Sequence, residues 1–231
     1  MLSRLLMTAL VSGALAGVFV FASHMAKTTP LILLAEVYEN AELAESHAHE
    51  PPKAAHKHAV EGDAWAPDDG LERSAYTLLT DLLTSIGFAF TLVGAIALRG
   101  RSVDWRSGMV WGLCGFASFY VGPSLGLAPE VPGMAAADLV ARQFWWLVTA
   151  VATAGGLALI FFAGPYGLKA AGVALMAAPH FVGAPSHTIE DGGIPAELAA
   201  QFAVTTLLVT GLFWLLLGSL TGYFYRRFGE T

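Results

Sequence analysis

The chain has 231 residues, 55% of them hydrophobic and only 13% charged, with a mean hydropathy of +0.60 and a net charge of −6. A soluble domain carries about 25% charged residues, so this chain lacks the charge to cover a water-facing surface. Ten of its 18 acidic residues fall between positions 36 and 72 and there is no basic stripe, which argues against nucleic acid as a partner.

Long apolar runs separated by short polar ones predict an all-α, polytopic integral membrane helix bundle of about six transmembrane helices, folded as a single domain over 1–231. The first span covers residues 5–24. Its apolar part is longer than the roughly 7–15 residues of a signal-peptide core, so it is read as a retained span. It carries Gly13-x-x-x-Gly17, a pattern that lets helices approach closely. The segment 27–74 follows as a solvated, acidic, histidine-bearing loop. Further spans are expected at 76–98, 108–121, 144–163, 168–182 and 198–223. The third and fifth are shorter than the roughly 20 residues of a full crossing, and both meet prolines, Pro123 and Pro179. Short, Pro-broken spans point to a transport site. Gly218-x-x-x-Gly222 in the last span is a second close-packing signal.

Orientation follows from Lys and Arg in short loops. Arg4, Arg99, Arg101, Arg106, Lys169, Arg226 and Arg227 share one side, whereas Lys27, Lys53, Lys57, Arg73 and Arg142 are spread over longer segments on the other. Both termini are therefore expected in the cytoplasm and the 27–74 loop outside. Residues 137–144 (ADLVARQF) and 196–202 (AELAAQF) resemble each other and open the fourth and sixth spans, which suggests two parallel out-and-back hairpins. Asp138 and Glu197 head these helices, where the helix dipole favours a carboxylate. Asp138 is expected to pair with Arg142 at i, i+4. Trp145, Trp146, Trp214, Tyr223 and Tyr225 are read as an aromatic belt at span ends. The single cysteine, Cys114, cannot form an internal disulfide and is read as a packing residue.

The outer loop holds His47, His49, His56 and His58, four of the seven histidines, as two His-x-His pairs. In an extended chain such residues point to the same face, and neutral imidazoles bind borderline transition metals. With Pro and Ala around them they suit a weak, exchangeable collecting site rather than a closed cage. Ligation needs neutral imidazole, so binding there should weaken below about pH 6.5. At membrane depth, ionisable groups are expensive and are functional candidates by default. Asp81 lies inside the second span, Glu130 in Pro129-Glu130-Val131-Pro132, and His180 follows Pro179, with His187 beyond it. These eight residues are the candidate metal ligands. His24 is read as a span-end histidine whose side chain reaches toward water. Gly164 to Lys169 (GPYGLK) has the wrong spacing for a P-loop, so no nucleotide motor is expected within the chain.

Taken together, several stretches resemble one family. They are PLILLAEVYE (30–39), GLERSAYT (70–77), GLAPEVPG (126–133), RQFWW (142–146), PHFVGAP (179–185), and Phe213-Trp214 with Leu217-Gly218 and Gly222-Tyr223. They run nearly end to end and resemble the CbtA family of predicted cobalt transporter subunits. The resemblance implies a non-enzymatic membrane subunit of a Co²⁺ uptake system, with Ni²⁺ as a chemically similar cargo. It also implies residence in a bacterial inner membrane, a link to cobalamin supply and a small single-span CbtB-like partner subunit. A metal-sensing or assembly subunit that transports nothing is the competing reading, and a membrane metalloenzyme ranks behind both.

Overall fold

The computed structural model describes residues 1–48, 67–186 and 193–229, and the described residues are helical throughout their regular structure. The first helix, α1 (Leu2–Ser23), passes through a π turn (His24–Thr28) into α2 (Thr29–Ala48). Next come α3 (Leu71–Arg99) and α4 (Trp105–Phe116), which continues through a second π turn (Ala117–Val121) into the short α5 (Gly122–Ser124). The chain closes with α6 (Leu139–Phe162), α7 (Tyr166–Val182) and α8 (Ala196–Arg227).

The two π turns have one cause. Each ends two residues before a proline, Pro30 or Pro123. Proline lacks an N–H and its ring crowds the carbonyl four residues back, so a regular α-helix cannot pass through it undisturbed. The chain widens by one residue instead: the Thr29 amide bonds His24 O and the Gly122 amide bonds Ala117 O, both spanning five residues. The third span ends at Ser124, one residue past Pro123, as the sequence predicts, whereas Pro30 lets α1 run on into what the sequence places in a loop. Residues 29–48 are helical.

Four helical stretches are long and apolar enough to cross a membrane: Leu2–Ala41, Leu71–Arg99, Leu139–Phe162 and Ala196–Arg227. Their outer faces carry exposed Leu79, Leu83, Phe144, Val151, Leu208 and Leu212. Contiguous apolar surface of this extent fits lipid and not water. The sequence expectation of six spans thus meets four such helices, with the third and fifth present as the shorter α4–α5 and α7.

Small residues set the packing. α1 lies along α3, where a Cβ on Gly13 would fall 2.9 Å from the Ile86 side chain and one on Gly17 would fall 3.0 Å from Leu82 Cα. α4 lies along α8, with Gly108 and Gly112 against Gly218 and Gly222 backbone to backbone. α6 lies along α7 through Gly156 and Gly172. Both glycine pairs singled out in the sequence therefore sit in close helix crossings. The expected hairpins are exchanged: each outward helix pairs with the return helix of the other hairpin, α4 with α8 and α7 with α6. The pairing still respects the sequence echo, since exchanging α4 for α7 and α6 for α8 maps one pair onto the other.

The core lies between α1, α3, α4 and α8. Trp214, 1% exposed, stacks on Phe119 at 5.6 Å and tilts against Phe88 at 4.8 Å. Trp214 is thus a core residue and not part of an aromatic belt; it fills the space that Gly115 leaves open across the interface. Trp145 is likewise buried, while Tyr223 is exposed as a belt residue would be. The Arg4 guanidinium donates to Tyr225 O at 2.7 Å and lies 3.9 Å above the Tyr225 ring, which brings the two ends of the chain to one face of the bundle. The turns α3–α4 and α6–α7 lie at that face as well. There the Asp104 carboxylate caps α4 by accepting from the Ser107 amide at 2.9 Å, and the Ser107 hydroxyl holds it below the usual carboxylate range.

Candidate functional site

At the opposite end of the bundle, α1 and α2 on one side and α3 on the other form an antiparallel ladder. On α3, Arg73, Thr77 and Asp81 follow at i, i+4 and i+8, so they share one helix face. On the facing strip, His24, Thr28 and Glu36 run the other way. The deepest rung is His24 with Asp81: Nδ1 to Oδ2 is 3.0 Å. Side chains lean toward the N-terminus of their own helix, so in antiparallel neighbours these two lean toward each other. The outermost rung is Arg73 with Glu36, an ion pair that Asp69 joins at 3.1 Å from the guanidinium.

Between these rungs lies a cavity of about 570 Å³. His24, Thr28, Thr29, Arg73, Ser74, Thr77 and Thr206 give it polar walls, and Ile32, Leu33 and Phe202 give it apolar ones. α2 covers it because Ala35 packs into a second apolar cluster with Val131, Leu198 and Phe202. Glu36 and Asp69 pair with the Arg73 guanidinium and Asp81 pairs with His24, so the two rungs together carry three carboxylates against one guanidinium when His24 is neutral. Lys27 is exposed and does not line the cavity. The His24 side chain is 31% exposed and that of Asp81 13%, so the imidazole reaches the cavity while the carboxylate stays behind it.

The other sequence candidates lie elsewhere. His180, on α7, meets Trp145 of α6 edge-on, with ring centroids 5.6 Å apart at 73°. The Trp145 indole N–H donates to Pro179 O at 3.3 Å. A Cβ on Gly126 would fall 2.8 Å from the same indole, so glycine is required where the 125–138 segment crosses it. Glu130 accepts from Arg142 Nη2 at 2.6 Å. The expected Asp138–Arg142 pair is not formed: Asp138 turns to the Ala141 amide at 2.9 Å and caps α6, which leaves Arg142 for Glu130. His47 stands in the last turn of α2, where only the backbone is described. His49, His56, His58 and His187 lie outside the described residues. Among the described residues, no three His, Cys, Asp or Glu side chains gather around one point.

Sequence reasoning names Asp81 but passes over His24 as a span-end residue. The signal that finds it is joint. A histidine six residues before a helix-breaking proline faces a second span with an acid one turn below a threonine and two below an arginine. A model of the family described as "Probable cobalt transporter subunit (CbtA)" matches residues 2–226. Neither a curated protein nor a solved structure matches the chain. With nearly its whole length covered, the chain belongs to the CbtA family of probable cobalt transporter subunits.

Proposed function

We propose that this chain is the membrane subunit through which Co²⁺ enters a bacterial cell, in support of cobalamin supply, and that the cavity between α1–α2 and α3 is the outward-facing start of its path. The observation that carries this reading is the cavity itself: mainly apolar walls that also present threonine and serine hydroxyls and Asp69, with the His24 imidazole of the His24–Asp81 pair in its lining. Borderline divalent metals such as Co²⁺ and Ni²⁺ accept both N and O ligands. His47, His49, His56 and His58 in the 27–74 segment collect the ion from outside and hand it to this mouth. Asp81 acts at the deep end. Glu130 and His180 brace the far side of the bundle, because an arginine-neutralised carboxylate and a ring packed on indole are poor cation ligands. His187, which follows α7 in the sequence, stays a proposed ligand beside the histidines of the 27–74 segment.

Six crossings follow if α4–α5 and α7 also span. Residues 105–124 form about 30 Å of near-continuous helix and α7 about 25 Å, close to the hydrocarbon thickness. Seven of the twelve Lys and Arg belong to the face that carries both termini, and the positive-inside tendency supports a cytoplasmic position for that face. His24 then stands about 33 Å from the inner end of α1, at the outer edge of the hydrocarbon. The chain acts with a small single-span subunit of the CbtB type in the bacterial inner membrane.

The test is uptake of radioactive cobalt and nickel by proteoliposomes that hold the purified chain, with and without that subunit. Saturable cobalt uptake in either preparation supports the reading. No uptake in both, from folded protein, replaces it with a sensing or assembly role.

A further inference from the structure

We infer that Nε2 of His24 is a direct ligand for a divalent transition-metal ion in the cavity, and that Asp81 positions the imidazole for that task instead of binding the ion. The inference deepens the transport reading and takes the identity of the cargo from it.

The argument starts from the 3.0 Å contact between His24 Nδ1 and Asp81 Oδ2. An ionised carboxylate only accepts hydrogen bonds, so in the neutral ring Nδ1 carries the proton and Nε2 carries the lone pair. Among the described residues Nε2 has no hydrogen-bond partner, and the ring lines the cavity. This is the arrangement that metal-binding histidines use: the second ring nitrogen gives its proton to a carboxylate, which fixes the tautomer and raises the basicity of the free nitrogen. The backbone contributes too. The π turn begins at His24, and the Thr28 hydroxyl and Thr29 amide both donate to His24 O, which ties the residue to the start of α2.

One protein imidazole is a sparse ligand set, since no further His, Cys, Asp or Glu joins His24 and Asp81 to make a cluster of three among the described residues. On this inference the ion keeps most of its bound water. That suits a path, where a site must hold an ion well enough to admit it and weakly enough to release it. A storage or structural site would show three or four protein ligands.

The test titrates Co²⁺ into the purified full chain and reads the visible ligand-field bands and the binding heat. The background variant carries Gln at His47, His49, His56 and His58, which removes loop binding. His24→Gln should then weaken the remaining site at least tenfold. Asp81→Asn should weaken it about tenfold, in the range found when the carboxylate partner of a metal-binding histidine is lost. His180→Gln should leave it unchanged. Unchanged cobalt affinity in His24→Gln overturns the inference. Should that variant misfold, the unaltered chain gives the answer by diethyl pyrocarbonate modification: Co²⁺ must protect His24, and equal modification with and without metal overturns the site. The two readings fail separately. A wild-type chain that binds Co²⁺ at His24 but moves none loses the transport reading and keeps the site. A His24→Gln chain that binds and transports normally loses the site and keeps transport.

Discussion

His24 and His180 occupy comparable places in the two halves of the bundle and are held in opposite ways. Both lie toward the end of the bundle remote from the termini, on helices disturbed by a nearby proline. His24 has a carboxylate on one ring nitrogen and lines the cavity between α1–α2 and α3. His180 meets the Trp145 indole in a T-shaped contact, and the carbonyl before it accepts from that indole's N–H. A histidine with one nitrogen oriented and the other open can exchange a ligand, whereas one packed on an aromatic side chain fixes a helix end. On the reading proposed above, these neighbours make His24 the exchanging histidine and His180 the architectural one.

The sharpest way to break this contrast is to remove the indole. Trp145 is 7% exposed and joins α6, α7 and the 125–138 segment through its ring and its N–H. Trp145→Ala should cost about 3 kcal/mol, the lower end for deleting a large buried aromatic. Unfolding of the micelle-bound protein in increasing dodecyl sulfate measures it. His24→Gln should move the same transition far less. If the two variants are equally unstable, the division into an architectural half and an exchanging half is wrong.

Transport should reverse the order. In proteoliposomes, His24→Gln should lower the cobalt uptake rate at least tenfold, about 1.4 kcal/mol of lost stabilisation along the path. His180→Gln should change it less than about twofold if its role is only to close α7, a surface-like change well within the usual range for neutral sites. Uptake lost in His180→Gln and kept in His24→Gln would move the path to the α6–α7 side.

Much of this architecture is legible in the sequence because it depends on local signals. Apolar length gives the long helices, and Gly13, Gly17, Gly218 and Gly222 announce close crossings since nothing but the missing Cβ is needed to permit them. What the sequence hides depends on distant partners. Trp214 reads as a belt residue from its expected place near a span end, yet Gly115 on another helix opens the space that buries it. Arg142 has an acid at i−4 and still pairs with Glu130, because Asp138 gains more by capping the open amides of α6. His24 needs Asp81 from 57 positions away before it reads as anything but a span end. The prolines act unequally: Pro123 does end its span, at Ser124, whereas at Pro30 a π turn absorbs the ring and the helix runs on to Ala48.

The smallest effect tests what the outer rung does. Glu36 offsets Arg73 at the mouth, twelve residues along the ladder from His24. That is about 18 Å of helix. One charge removed at that distance in water changes the energy of a divalent ion at His24 by roughly 0.5 kcal/mol, so Glu36→Gln should raise the half-saturating cobalt concentration about twofold in 10 mM salt. At 150 mM salt the screening length falls to about 8 Å and the difference should vanish, while the maximal rate stays the same at both salt concentrations. A mechanical latch predicts otherwise: if the Arg73–Glu36 pair must open for each ion, Glu36→Gln raises the maximal rate, and salt does not erase the gain. The salt dependence of the half-saturation value and of the maximal rate in this single variant separates a mouth that attracts cations from one that must unlock.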